Sequence, residues 1–185
     1  MPRFSPVSMA YKKILEQADA FFAKVAAEQP QNLQCGRGCS FCCYGLFEIG
    51  SADVAVIAEG LEKLHPMRRK KVIRRAQEIL DAAGPLDDRE AFFDRTEDVA
   101  CPNLDDNGLC MMYEHRPMVC RTFGLPIRDG SQYIGDICEL NFTDATQPEK
   151  ERAAWNLQWE DVYGDDELSI PEAIVIAARM RGWGG

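Results

Sequence analysis

Four thiols within nine residues constrain this chain more than any other feature. Residues Cys35 to Cys43 read CGRGCSFCC, spaced C-x3-C-x2-C-C, with Gly36 and Gly38 between the first pair. Eight cysteines occur in all, and the remaining four recur downstream at Cys101, Cys110, Cys120 and Cys138. None falls in the first 34 residues or the last 47. Such clustering reads as a metal centre rather than as scattered core thiols.

Whether those thiols are ligands or disulfides depends on compartment. The N-terminal stretch MPRFSPVSMAYKK lacks the apolar core of a secretory signal. No apolar run approaches the roughly 20 residues of a membrane span. The expectation is a cytoplasmic protein without membrane association, where thiols stay reduced and tight clusters serve as ligands. The acidic balance, 30 Asp+Glu against 21 Lys+Arg, disfavours nucleic acid as a partner, which calls for a basic footprint. One basic run, Arg68 to Arg75, reads better as the solvated face of an amphipathic helix.

At 185 residues one domain is expected, spanning 1–185, with the cysteine-bearing core at about 35–138. An N-terminal helix over 8–28 shows an apolar stripe of Ile14, Ala18, Phe21 and Val25, with Ser8 as its cap. Tyr44–Ile49 reads as a short strand, and Ser51 as the cap of a helix carrying Val54, Ile57, Leu61 and Leu64. A further helix follows Pro66 and stops at Gly84-Pro85. Residues 87–98 are an acidic connection with a short helical turn near 91–93. Asp129-Gly130 marks a turn between segments 125–127 and 133–137. Capping boxes at Thr146/Glu149 and Ser169/Glu172 start two C-terminal helices, about 148–163 and 171–181. The fold class is therefore α+β and mostly helical, with helices around a small irregular β-hairpin and loop region that carries the cysteines.

The spacing of the cysteines suits soft-metal chemistry. Cys39 and Cys42 have the C-x2-C spacing of a metal knuckle, and Cys35 can wrap in through Gly36 and Gly38. Asn107-Gly108 suits a tight hairpin that draws Cys101 and Cys110 together on neighbouring strands. Arg116-Pro117 places Cys120 in the first turn of a short helix, where backbone N–H groups favour a thiolate. Cys42 and Cys43 are adjacent, and in extended chain their side chains would diverge, so one ion would rarely take both. The centre draws on Cys35, Cys39, Cys42, Cys101, Cys110 and Cys120, with Cys43 and Cys138 as further candidates. His115, five residues from both Cys110 and Cys120, is weighed as a ligand but reads more plainly as a hydrogen-bonding or exposed side chain. His65 reads as structural. Arg37, Arg116 and Arg121 adjoin cysteines and could offset thiolate charge.

Three motifs in order, CGRGCSFCC, CPNLDDNGLC and YEHRPMVCR, resemble those of the zinc- or iron-chelating cysteine-cluster family, the YkgJ-like or CxxCxxCC-domain proteins. The resemblance covers about Cys35 to Cys138. It implies zinc or iron held by cysteine, an iron–sulfur cluster such as [4Fe-4S] being one form. The expected function is metal binding with a structural, sensing or metal-handling role and a metal ion as partner. The alternative is an iron–sulfur protein in electron transfer or enzyme assistance, since thiolates suit zinc and iron–sulfur alike. A radical S-adenosylmethionine enzyme shares the C-x3-C-x2-C spacing but needs repeated strand–helix units that are missing here. A zinc-dependent nucleic-acid module has only the Arg68–Arg75 run behind it. No hydrolase or P-loop pattern occurs, and no residue is assigned a catalytic role.

Overall fold

Helix starts in this chain are fixed by side chains that answer the free N–H groups of a first turn. In the computed structural model, which describes residues 7–84, 88–135, 138–157 and 167–183, Ser8 accepts from Tyr11 N at 3.1 Å and opens α1 (Met9–Glu28). Asp88 does the same for α4 (Arg89–Arg95) through Ala91 N at 3.0 Å. Ser51 precedes α2 (Ala52–Lys63) but gives no capping bond, because it has itself turned helical at φ −59° and ψ −25°. The imidazole of His65 caps α3 (Pro66–Ala83) by accepting from Met67 N at 3.3 Å, so its structural reading gains a definite role. Gly84, at φ +79°, lets α3 end. Helices α5 (Met118–Thr122), α6 (Gln147–Ala153) and α7 (Ile170–Met180) follow.

The described residues fall into two compact units, each built from separated stretches of chain. In the first, residues 38–117 join residues 167–183. Helix α7 packs on both α2 and α3. Ile57, Leu61, Val72, Ala76 and Ile174 are fully buried there. Strand β1 (Glu48–Gly50) pairs antiparallel with the later strand Glu167–Ser169, Ile49 facing Leu168. A second cluster of Leu46, Ala83 and Phe92 sits beneath α3 and α4. Tyr44, expected within the first strand, instead makes an isolated bridge to Ala100.

In the second unit, residues 8–37 join residues 118–157. Helix α1 packs against α5. The sheet order is β3-β2-β4, from Gln132–Gly135, Ile127–Asp129 and Trp155–Asn156. Strands β2 and β3 form the antiparallel hairpin expected around Asp129-Gly130, with a bulge between Ile127 and Arg128. Residues 136–137 of the expected strand lie outside the described residues. Strand β4 runs parallel to β2, which leaves Glu167–Ser169 as β5. Val25, Leu33, Leu125, Phe142 and Ala153 form the core, with Phe21 against Trp155 at 5.5 Å between ring centres.

The fold class matches the expectation: mostly helical, with a few short strands. One helix end also differs. The helix starting at Pro148 was expected to reach 163, but α6 ends at Ala153. Trp155 N donates to Pro126 O at 2.8 Å and Leu157 N to Arg128 O at 2.7 Å, so pairing with β2 takes the amides that would have continued the helix. Residues 158–163 lie outside the described ones. No described helix is long and apolar enough to cross a membrane.

Candidate metal centre

The segment 101–110 folds around one carboxylate. Asp105 Oδ1 accepts from Asn107 N at 2.8 Å and from Leu109 N at 2.9 Å. Asp105 N donates to Leu109 O at 2.8 Å, and Met111 N to Asn103 O at 2.8 Å. Gly108 alone takes a positive φ, +76°, so Asn107 does not supply the left-handed residue that its sequence suggested. Instead of two strands, a single antiparallel bridge links Leu104 to Cys110. Lys71 Nζ meets both Asp106 carboxylate oxygens at 2.9 Å, and Arg75 donates to Leu104 O at 2.6 Å. The basic run of α3 thereby braces the turn.

Cys39, Cys42, Cys43, Cys101 and Cys110 belong to the first unit; Cys35, Cys120 and Cys138 belong to the second. All eight are half-buried and none is joined in a disulfide. Cys101 N donates to Cys43 O at 2.7 Å, which sets the 101–110 turn beside the first motif. Cys42 and Cys43 lie on a 3-10 turn, Phe41–Cys43, where successive side chains are about 120° apart rather than opposite. They therefore do not diverge as in a strand: a hydrogen bond with Cys43, reinforced by burial, pushes the Cys42 thiol well above its ordinary range.

Burial pushes Cys101 up to about 12, opposed by hydrogen bonds that its sulfur accepts from the backbone N–H and the side chain of Asn103. Burial also raises Cys110, while the Met112 N–H and the Arg116 charge pull it down. Each of these two sulfurs thus receives an amide from two residues further on, an arrangement that favours thiolate charge. Arg116 also acts on Cys42. It is held over the Tyr113 ring at 3.7 Å and donates to Tyr113 O at 2.9 Å. Of the other arginines considered, Arg121 is buried and paired with Asp19.

His115, at the end of the 3-10 turn Tyr113–His115, rests against α2: a Cβ added at Gly60 would lie 2.8 Å from its Cβ. In the second unit, Cys120 sits within α5 as its Arg-Pro start suggested. Cys35 packs beside Gly124, whose added Cβ would lie 3.4 Å from the Cys35 Cβ. Asn141 N donates to Cys138 O at 3.2 Å. Among the described residues, no three Cys, His, Asp or Glu side chains already stand where they could hold an ion. The donor set nevertheless fits a soft metal: reduced thiols, amides directed at sulfur, and a fixed cation beside them. A groove of about 820 Å³ between α3 and the 100–108 segment has Cys101 among its lining residues. Sequence reasoning missed Asn103; its only sequence signal is a polar side chain two positions after a candidate ligand.

Fold and thiols together define a class, a small α+β scaffold that presents reduced cysteines from loops and short helical turns. Residues 34–148, more than half of the chain and all eight cysteines, match the CxxCxxCC family, described as a "putative zinc- or iron-chelating domain". The chain belongs to that family. No curated protein and no solved structure matches it.

Proposed function

We propose that this protein binds zinc or iron through cysteine thiolates and that the ion serves a structural, sensing or metal-handling role rather than catalysis. The observation that carries the reading is the paired environment of Cys101 and Cys110, each sulfur accepting the amide of the residue two positions on. Hydrogen bonds of this kind offset the charge of a coordinating thiolate and orient it. Cys42 lies within electrostatic reach of both sulfurs, and Arg116 of Cys42 and Cys110. The candidate ligands are Cys35, Cys39, Cys42, Cys101, Cys110 and Cys120, with Cys43 and Cys138 completing the set. Thiolates draw on Lewis-acid or redox chemistry only through the ion they hold, and the chain's own residues supply orientation and charge balance.

Anaerobic purification followed by elemental analysis, sulfide assay and visible spectroscopy tests this reading. Zinc without colour supports the structural or metal-handling form. A brown protein with labile sulfide moves the reading to an iron–sulfur centre in electron transfer or enzyme assistance. Cys39→Ser and Cys120→Ser should each lower bound metal and thermal stability together. Unchanged metal content in both variants would remove these two thiols from the centre, and a metal-free parent would end the proposal.

A further inference from the structure

We infer that Asn141 is a positioning residue that sets the three thiol-bearing segments of the second unit in place before any ion arrives. The inference rests on the metal-binding reading above and deepens it. The Asn141 side chain is buried, 2% exposed, and both ends of its carboxamide are used. Oδ1 accepts from Gln34 N at 2.8 Å, immediately before Cys35. Nδ2 donates to Gly124 O at 2.9 Å, just past the short helix that holds Cys120. Its backbone N–H closes the turn after Cys138 by donating to Cys138 O at 3.2 Å. One residue therefore ties together segments that lie 107 and 17 positions away in sequence.

Two independent features show that the chain is shaped around this contact. Gly124 has φ +104°, and a Cβ there would stand 2.6 Å from Asn141 Nδ2 and 3.4 Å from Cys35 Cβ. Only glycine lets that segment approach both. Phe142 is the one described non-glycine residue with positive φ, +57°, a strained conformation for a bulky side chain. It is held because Phe142 N donates to Asn32 O at 2.7 Å and the ring fills the core with Leu33 and Leu125. Asn141 and Phe142 are buried side by side, 2% and 1% exposed. Hydrogen bonds that fix the backbone beside a ligand reduce the ordering an ion must impose, and losing such support typically lowers metal affinity about 10–100-fold.

The test uses the full chain with Zn²⁺ measured by chelator competition and Co²⁺ by its thiolate charge-transfer band. Asn141→Asp keeps the acceptor for Gln34 and replaces the donor to Gly124 with a charged oxygen facing a carbonyl. Zinc affinity should fall about 10–100-fold, with a weakened cobalt–thiolate band. Asn156→Ala removes a bond of the same kind, from Gly130 N at 2.9 Å, on the sheet of that unit. It controls for general loss of stability and should leave affinity and band unchanged. A folded Asn141→Asp variant that matches the parent in both overturns the inference while leaving the metal-binding reading intact. A parent that takes up neither ion overturns both. Hydrogen exchange of the Gln34 amide in the metal-free parent decides the matter even if the variant does not fold. Slow exchange supports prior positioning, and exchange at the open-chain rate overturns it.

Discussion

Substituting Gly60 with alanine sets two well-known effects against each other, and the geometry decides the sign. Gly60 is a buried residue within α2. In a helix interior alanine is preferred to glycine by about 1 kcal/mol, so propensity alone predicts a stabler protein. The new Cβ, however, would stand 2.8 Å from His115 Cβ and 2.9 Å from Met112 Sδ. The methionine sulfur can swing away. The His115 Cβ cannot easily do so, because it is one bond from a backbone whose N–H donates to Met112 O at 2.8 Å. Relief therefore requires the 112–116 segment to shift, and overpacking of this kind costs about 1–3 kcal/mol. The net expectation is destabilisation of up to about 2 kcal/mol, each kcal/mol lowering the melting temperature by about 2–4 °C in a chain of this size. Because the same segment carries the Met112 amide on Cys110 and the Arg116 charge, zinc affinity should fall as well. Thermal unfolding of the metal-free protein and a zinc competition titration measure both. A Gly60→Ala variant that melts higher than the parent and binds zinc equally well would refute the reasoning.

Other outcomes follow from the capped and braced elements. Ser169→Ala removes the cap of α7, whose Oγ accepts from Glu172 N at 3.4 Å, and should cost about 1 kcal/mol in urea unfolding. Asp105 is held low by the Leu109 and Asn107 amides, and Asp106 by the hydrogen bond and charge of Lys71. Depressed folded values mean that their contribution is present above the unfolded carboxyl value near pH 4 and is lost as pH falls through the folded values. Urea midpoints across that acid range should show a smaller loss in Asp106→Asn than in the parent. The Asp106 part of that contribution should shrink with added salt, since its carboxylate meets Lys71 at an exposed surface.

Much of the helical framework was legible because its signals are local. The stripe of α1, the Pro66 start and Gly84 stop of α3, and the Thr146/Glu149 and Ser169/Glu172 pairs each act within one or two turns. What could not be read depends on partners far along the chain. Helix α6 gives way at Ala154 because β2 claims the next amides. Cys42 and Cys43 stand on a 3-10 turn rather than in extended chain, a conformation that no periodicity in CGRGCSFCC announces. Asp105, rather than Asn107, organises the turn beneath Cys110, although both stand in the same DDNG run. Asn141 carries no local signal at all. Its importance lies in Gln34 and Gly124, which only folding brings to it.

The two ways of holding thiols also predict what metal removal does. In classical zinc fingers the ion contributes on the order of 10 kcal/mol and the apo chain is unfolded. Here large buried side chains of the first unit, Ile57, Leu61, Val72 and Ile174, lie on α2, α3 and α7, and Phe92 lies on α4. The caps that start α3 and α7, His65 and Ser169, are also independent of sulfur. Helix content should therefore survive chelation. The segment 101–116 is different: apart from the buried Leu104 and Met112, its order comes from one bridge, the Asp105 turn, the Cys101–Cys43 backbone bond and the brace from α3. On removal of the ion, far-UV circular dichroism should change little while hydrogen exchange rises between Cys101 and Arg116. A cooperative loss of all helix on chelation would show instead that the hydrophobic core depends on the ion, and the distinction drawn here between scaffold and centre would fail.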